Sequence, residues 1–238
     1  MTSDITPEML AELARIGTPT VSGELTKLGL RRTFMPELRQ LVGTEPLAAP
    51  AFNIRFLPAR EDITTPDSYA SINNLSVGIE DVPAGSVAVI DARGDRTCGV
   101  LGDIIAARMK AIGIVGVIVD GMIRDAIGVR KIGLPIWAIG YAAPTTMVGL
   151  QYAGAGGTIG CAGVLVEPGD IIVADEEAVL AVPRKAVATI FGKLRDQIVY
   201  EEFVLSRIAQ GAKLRGIYPL NDQMKLEFES WKASRANA

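Results

Sequence analysis

The chain has 238 residues, 49% of them apolar; 24 Lys and Arg stand against 27 Asp and Glu for a formal net charge of −3, and there is no histidine. That length and apolar content suffice for one sizeable core, while charge near balance without a basic block excludes the electrostatic footprint of a nucleic-acid binder. The lack of histidine excludes imidazole metal sites and the Ser-His-Asp and Cys-His nucleophile systems, so any chemistry must come from carboxylates, Arg, Lys, Tyr, Cys, backbone amides, water or a metal held by oxygen.

Thr6-Pro7-Glu8 supplies an N-cap and a Pro at the first helical position, and Leu10, Leu13 and Ile16 follow on one face, which predicts a first helix. Thr18-Pro19 repeats the signal for a second, short helix through Val21, Leu25 and Leu28, ended by Gly29. The runs 52–57, 87–90, 114–119 and 136–139 read as strands, and the stretch from Gly102 to Gly113 as helix, an α/β pattern. Between 58 and 83 no period is sustained, although Ile72, Leu75 and Ile79 could share a helical face. From Gly157 to Val182, short apolar runs broken by Pro168-Gly169-Asp170 and Asp175-Glu176-Glu177 predict neighbouring antiparallel strands. A long helix is expected from Lys185 to about Gln210, and the aromatic tail with Tyr218, Phe228 and Trp231 is expected to dock on the domain or on a neighbouring subunit. The expected organisation is one domain over 1–211 and a C-terminal extension over 212–238.

No apolar run approaches the roughly 18 residues of a membrane span, and residues 1–20 carry neither a basic leader nor an apolar signal core. The expectation is a cytoplasmic protein with no membrane or nucleic-acid partner, acting on a small molecule, with Cys98 and Cys161 reduced.

Two segments carry candidate chemistry. Cys98-Gly99-Val100-Leu101-Gly102-Asp103 joins a strand to a helix, so its amides gather at the positive end of that helix and could receive a substrate carboxylate; alternatively it is a glycine-rich connection with Asp103 as a cap. Asp120-Gly121-Met122-Ile123-Arg124-Asp125 follows a buried strand, at the carboxyl end where ligand-binding loops gather in α/β sheets. Twenty residues lie between Asp103 and Arg124, about one helix and one strand, so both acids can converge on one rim. There Asp125 could ligate a hard ion such as Mg²⁺, Arg124 could present a fixed fork to a developing enolate oxygen, and Asp103 could orient or deprotonate a water. The competing reading is an ordinary pair, with Asp125 capping a helix and Arg124 in a surface ion pair. No lysine sits in an apolar pocket of the kind a Schiff-base aldolase needs, and Cys98, without a histidine to activate it, reads as packing.

These segments, together with Gly17-Thr18-Pro19-Thr20-Val21-Ser22, Ala49-Pro50-Ala51-Phe52, Pro83-Ala84-Gly85-Ser86-Val87, Gly163-Val164-Leu165-Val166-Glu167-Pro168-Gly169-Asp170 and Val182-Pro183, resemble the RraA-like proteins over most of the chain. That family includes the class II 4-hydroxy-4-methyl-2-oxoglutarate and 4-carboxy-4-hydroxy-2-oxoadipate aldolases, recognised by an Asp, twenty residues and Arg-Asp, here Asp103, Arg124 and Asp125. The resemblance implies a swivelling ββα sandwich of the phosphohistidine-domain-like type, with N-terminal helices and a long C-terminal helix, assembled as homotrimers or homohexamers. It implies a metal-dependent lyase that releases pyruvate from a 4-hydroxy-2-oxo acid, with oxaloacetate decarboxylation as a side activity. In that scheme Asp125 holds Mg²⁺ or Mn²⁺, Arg124 binds substrate and steadies the enolate, and Asp103 orients a proton-shuttling water. The amides around Gly99, Val100, Leu101 and Gly102 receive the pyruvoyl carboxylate, and Glu201 is the match for an acid supplied by a neighbouring subunit. Other outcomes within the resemblance are a regulator that binds an RNA-degrading endonuclease and a lyase or hydro-lyase on sugar-derived 3-deoxy-2-oxo acids. Two departures stand out: an insert from Arg60 to Ile79 that is longer than in the short aldolases, and Asp175-Glu176-Glu177-Ala178-Val179 in place of an Asp-Gly-Val turn.

Overall fold

The computed structural model describes residues 5–69 and 74–236. Helix α1 (Pro7–Ile16) starts where expected: Met9 N–H donates to the Thr6 hydroxyl at 3.3 Å, Pro7 occupies the first turn, and Leu13 is buried. Gly17, at φ 88°, turns the chain into α2 (Thr18–Lys27). No local side chain caps α2; instead the Asp175 carboxylate accepts from Thr18 N at 2.8 Å and from the Thr18 hydroxyl at 2.9 Å. After Gly29, the chain makes β1 (Arg39–Val42) and the long β2 (Leu47–Pro58).

The insert forms α3 (Pro66–Tyr69) and α4 (Leu75–Gly78), the latter capped by Asn74, whose Oδ1 accepts from Ser76 N at 2.9 Å and Val77 N at 3.3 Å. Leu75 and Ile79 are buried, as the expected helical face requires, and Ile72 lies outside the described residues. Then come β3 (Val87–Gly99), α5 (Asp103–Ala111), β4 (Gly116–Ile123), α6 (Ala126–Ile132) and β5 (Ile136–Tyr141). Strands β6 (Leu150–Ala155), β7 (Ile159–Cys161), β8 (Val164–Val166), β9 (Ile171–Ala174) and β10 (Val179–Val182) precede α7 (Arg184–Ala209) and α8 (Asp222–Ala236).

Eight strands form one curled sheet in the order β1-β5-β4-β3-β2-β9-β10, with β6 also on β2. The centre, β2 to β5, is parallel, joined by crossovers that include α5 and α6, and its strands are buried on both faces, as parallel sheets require. β2 is shared along its length: 47–50 pair with β9, 51–55 with β3 and 54–58 with β6. One core cluster, with Ile54, Phe56, Ile90, Val119 and Met109, lies under α5 and the insert. A second, with Trp137, Ile118 and Val89, is covered by β7 to β10. At about 25 cal/mol per Å² of apolar area, burial of such side chains is the main stabilising contribution.

Two compact units are formed, 1–188 and 189–238, and most of α7 lies in the second with the tail. Phe203, Val204 and Ile217 form a separate buried cluster, with Phe203 packed at 5.3 Å from the Phe228 ring and 5.5 Å from Trp231. The aromatic tail therefore docks on α7 of its own chain. Among the described residues no helix is long and apolar enough to cross a membrane.

Candidate active site

Strand β4 ends at Ile123, and Arg124 and Asp125 follow at the carboxyl edge of the parallel sheet, the position where α/β folds present their ligand loops. Beside it β3 ends at Gly99, and Val100 to Gly102 lead into α5. The two connections are tied together: Val100 N donates to Met122 O at 2.8 Å and Arg124 N to Leu101 O at 2.9 Å. Glycine makes this approach possible. A Cβ at Gly99 would lie 2.8 Å from Arg124 Cβ, and one at Gly102 would lie 2.1 Å from Asp125 Oδ2.

Asp125 takes the left-handed conformation, φ 57° and ψ 46°, which a residue with a side chain adopts at a cost and which concentrates at functional sites. It stands at the N-cap position of α6 yet makes no capping hydrogen bond. Asp103 is the first residue of α5, behind Gly102 as N-cap, and it too makes no capping bond. Its carboxylate instead abuts α6, where a Cβ on Gly128 would come within 2.4 Å of Oδ2. The reading of both acids as ordinary helix caps is therefore not met, and neither accepts a hydrogen bond from any described residue.

Asp103, Arg124 and Asp125 line one open cleft of about 260 Å³ with the 99–102 connection, Ile104, Ile105 and Thr146. Arg124 Nε lies 3.3 Å from Asp125 Oδ2, close enough for charge attraction but without the alignment of a hydrogen bond, and this buried N–H has no partner.

Of the four amides expected to receive a carboxylate, two are already used. Gly99 N already donates to Pro144 O at 2.9 Å and Val100 N to Met122 O, so those two amides are occupied; the amides of Leu101 and Gly102, next to the start of α5, have no acceptor among the described residues. Thr146, which sequence reasoning missed, is 7% exposed and its hydroxyl donates to Gly99 O at 3.2 Å and Val100 O at 3.3 Å, bracing the loop from outside. It lies in a 3₁₀ turn after β5 and carries no motif that would reveal it.

Cys98 is packing, as expected. Burial pushes its thiol up to about 11 and the Asp95 carboxylate beside it acts in the same direction. Asp120, in the same sequence motif as Arg124, is not part of the cleft: its Oδ2 accepts from Ala162 N at 2.9 Å, and burial raises its pKa. Glu201 lies on α7 in the other compact unit, where Gln197 Nε2 donates to it at 2.8 Å.

Among the described residues no three His, Cys, Asp or Glu gather to form a closed metal cage. A site of one or two carboxylates open to a cleft suits a hard divalent ion that keeps most of its waters, and not zinc in a structural site.

Comparison with known proteins bears on the family and the fold. Over 212 residues the chain is 27% identical to protein DlpA of Legionella pneumophila, covering 89% of this chain but 33% of that protein. It is 34% identical over 138 residues to a Halalkalibacterium halodurans protein provisionally named 4-hydroxy-4-methyl-2-oxoglutarate aldolase, covering 56% of this chain and 64% of the relative. The matches thus span from a third to just under two thirds of these relatives' lengths. Among solved structures, RraAS2 of Streptomyces coelicolor, described as an unusual member of the RNase ES inhibitor RraA protein family, superposes with a TM-score of 0.73 at 31% identity, over 84% of this chain and 97% of that one. An uncharacterised Pseudomonas syringae protein shares the fold at a TM-score of 0.80 and 24% identity, over 93% and 97% of the two chains. The family model described as RraA-like, Aldolase/RraA, matches residues 18–181. With well over half its length matched, and with the cleft inside the matched region, the chain belongs to the RraA-like family.

Proposed function

We propose that the chain is a divalent-metal-dependent lyase that cleaves a 4-hydroxy-2-oxo acid into pyruvate and a second carbonyl compound. The observation that carries this reading is the meeting of Asp103, Arg124 and Asp125 on one cleft, with the side chains of Arg124 and Asp125 partly exposed there. Relatives named as aldolases support the same class of reaction.

The free amides of Leu101 and Gly102 bind the substrate's C1 carboxylate, helped by the positive end of α5. Asp103 holds a water through which the C4 hydroxyl proton passes to the Asp103 carboxylate. The C3–C4 bond then breaks, C4 becomes the new carbonyl, and its electron pair passes to C3 and onto the C2 oxygen as the pyruvate enolate. Arg124 is directed at that oxygen, where negative charge grows in the transition state. The proton held by Asp103 returns through the same water to C3, which releases pyruvate. A divalent ion held at Asp125, when bound, supplies Lewis-acid charge that favours the enolate. The same enolate follows loss of CO₂ from oxaloacetate, so decarboxylation accompanies the lyase activity. Assembly as a trimer or hexamer, with Glu201 of another copy completing the site, belongs to this reading; sedimentation of the wild type and turnover by Glu201→Gln test that part.

The main test is pyruvate release from a panel of 4-hydroxy-2-oxo acids with Mg²⁺ or Mn²⁺. Chelator should abolish turnover, and Arg124→Ala should lower kcat/KM by 10²-fold or more, about 2.7 kcal/mol of transition-state stabilisation. Wild-type rates in that variant would refute the role.

A further inference from the structure

A second cavity adjoins the cleft. It has a volume of about 180 Å³ and shares Val100, Ile105 and Thr146 with the cleft. Its remaining wall comes from the insert, through Leu75 and Ser76, and from β2 and β6, through Phe56, Leu150, Gln151 and Tyr152. The wall is firmly set: Phe56 and Tyr152 pack edge to face at 5.9 Å, and α4 sits so close to β6 that a Cβ on Gly78 would lie 2.2 Å from the Tyr152 hydroxyl oxygen.

What the cavity lacks decides its ligand. No charged side chain lines it among the described residues; its polar groups are hydroxyls and amides of Thr64, Asn74, Ser76, Thr146, Gln151 and Tyr152. A carboxylate entering it would exchange its hydration for apolar walls without a countercharge, which is strongly unfavourable. A neutral group would be welcome: an apolar cavity of about 150 Å³ accepts benzene, so this space takes a ring or a branched alkyl group.

Resting on the lyase reading above, we infer that the cavity walled in part by Thr64 and residues 74–76 of the insert receives the C4 substituent of the substrate, and that this substituent is neutral and of ring or branched-alkyl size. The second product is then a neutral aldehyde or ketone. The enolate half sits at the Arg124 rim, the departing half sits beyond Val100 and Ile105, and the uncharged lining sets the charge preference.

The experiment compares kcat/KM for 4-hydroxy-2-oxo-4-phenylbutanoate and for 4-hydroxy-2-oxoglutarate, which carries a carboxylate at C4, with oxaloacetate decarboxylation as a reference that uses the enolate site alone. The phenyl substrate should be preferred at least tenfold, and Gln151→Arg, at a half-buried position, should shift the ratio at least tenfold toward the carboxylate. Methyl NMR of the full chain gives a readout without turnover: benzyl alcohol should shift the signals of Leu75, Val100, Ile105 and Leu150, and acetate should not. Decarboxylation with an equal or greater preference for the carboxylated substrate would overturn the inference and leave the lyase reading standing. If no substrate, oxaloacetate included, is turned over, the lyase reading fails and with it the substrate assignment; benzyl alcohol shifts would then retain only the neutral character of the cavity, and their absence would overturn that as well.

Discussion

Alanine at position 102 perturbs the site while asking little of the fold. Gly102 has φ −123° and ψ −164°, extended backbone open to any residue, so the substitution meets no conformational barrier. Loss of a glycine N-cap to alanine costs about 1 kcal/mol at most. The new Cβ, however, would lie 2.1 Å from Asp125 Oδ2, and separations under 3.0 Å are essentially never seen, so the carboxylate must retreat by at least about 0.9 Å. It can do so, because the Asp125 side chain is 38% exposed. A displacement of about 1 Å at a catalytic group can cost 10²-fold in rate, about 2.7 kcal/mol. Gly102→Ala should therefore release pyruvate about a hundredfold more slowly while its thermal midpoint falls by only a few degrees. The double variant with Asp125→Ala should lose little beyond Asp125→Ala alone, because the clash acts through that carboxylate. Unchanged kcat/KM in Gly102→Ala, or penalties that simply add in the double variant, would show that the position of the Asp125 carboxylate does not set the rate.

Other parts of the molecule give sharper tests of stability. Asp175→Ala removes four hydrogen bonds, to Thr18 N and Oγ1, Glu177 N and Ala178 N, and should lower stability by about 1–3 kcal/mol in urea unfolding. Burial opposes ionisation of Asp175, but those bonds outweigh it and hold its pKa below the usual range, so its contribution is present above that range and lost on acidification; the gap between wild type and variant should close as pH falls. Asp120 has the opposite sign. Burial raises its pKa, so its contribution is present below the usual aspartate range and is lost as pH rises through the raised value; the wild-type advantage over Asp120→Asn should shrink with rising pH. Both cysteines are fully buried and their thiols are raised, so iodoacetamide at neutral pH should label the urea-unfolded chain and spare the native one. Rapid labelling of native Cys98 would reopen it as a nucleophile.

Much of the fold was legible because local signals and burial agreed. Thr6-Pro7 placed α1, Pro183 preceded α7, and the apolar runs at 87–90, 114–119 and 136–139 became the parallel centre of the sheet. Boundaries were less legible. β4 extends to Ile123, through Asp120, since the buried carboxylate is met by Ala162 N from a distant segment. β1 went unseen because four residues on an edge, held by β5, carry too short a pattern. The convergence of Asp103 with Arg124 was readable from spacing, because one helix and one strand separate neighbouring connections at the same sheet edge. The left-handed turn at Asp125 was not, since it falls on a residue with a side chain and has no local glycine to announce it. Nor was the prior use of the Gly99 and Val100 amides, which depends on Pro144 and Met122 lying alongside. The Asp175 cap on α2 joins residues 157 positions apart, and no local rule reaches that far.

On the proposed reading, Asp103, Arg124 and Asp125 together stabilise a pyruvate enolate. Proton exchange at the methyl group of pyruvate in D₂O, followed by NMR with Mg²⁺ present, reports that enolate without any need to know the natural substrate. Wild type should exchange the methyl protons, chelator should stop it, and Arg124→Ala should slow it by 10²-fold or more. Exchange at the background rate in the wild type, or at an unchanged rate in Arg124→Ala, would contradict the claim.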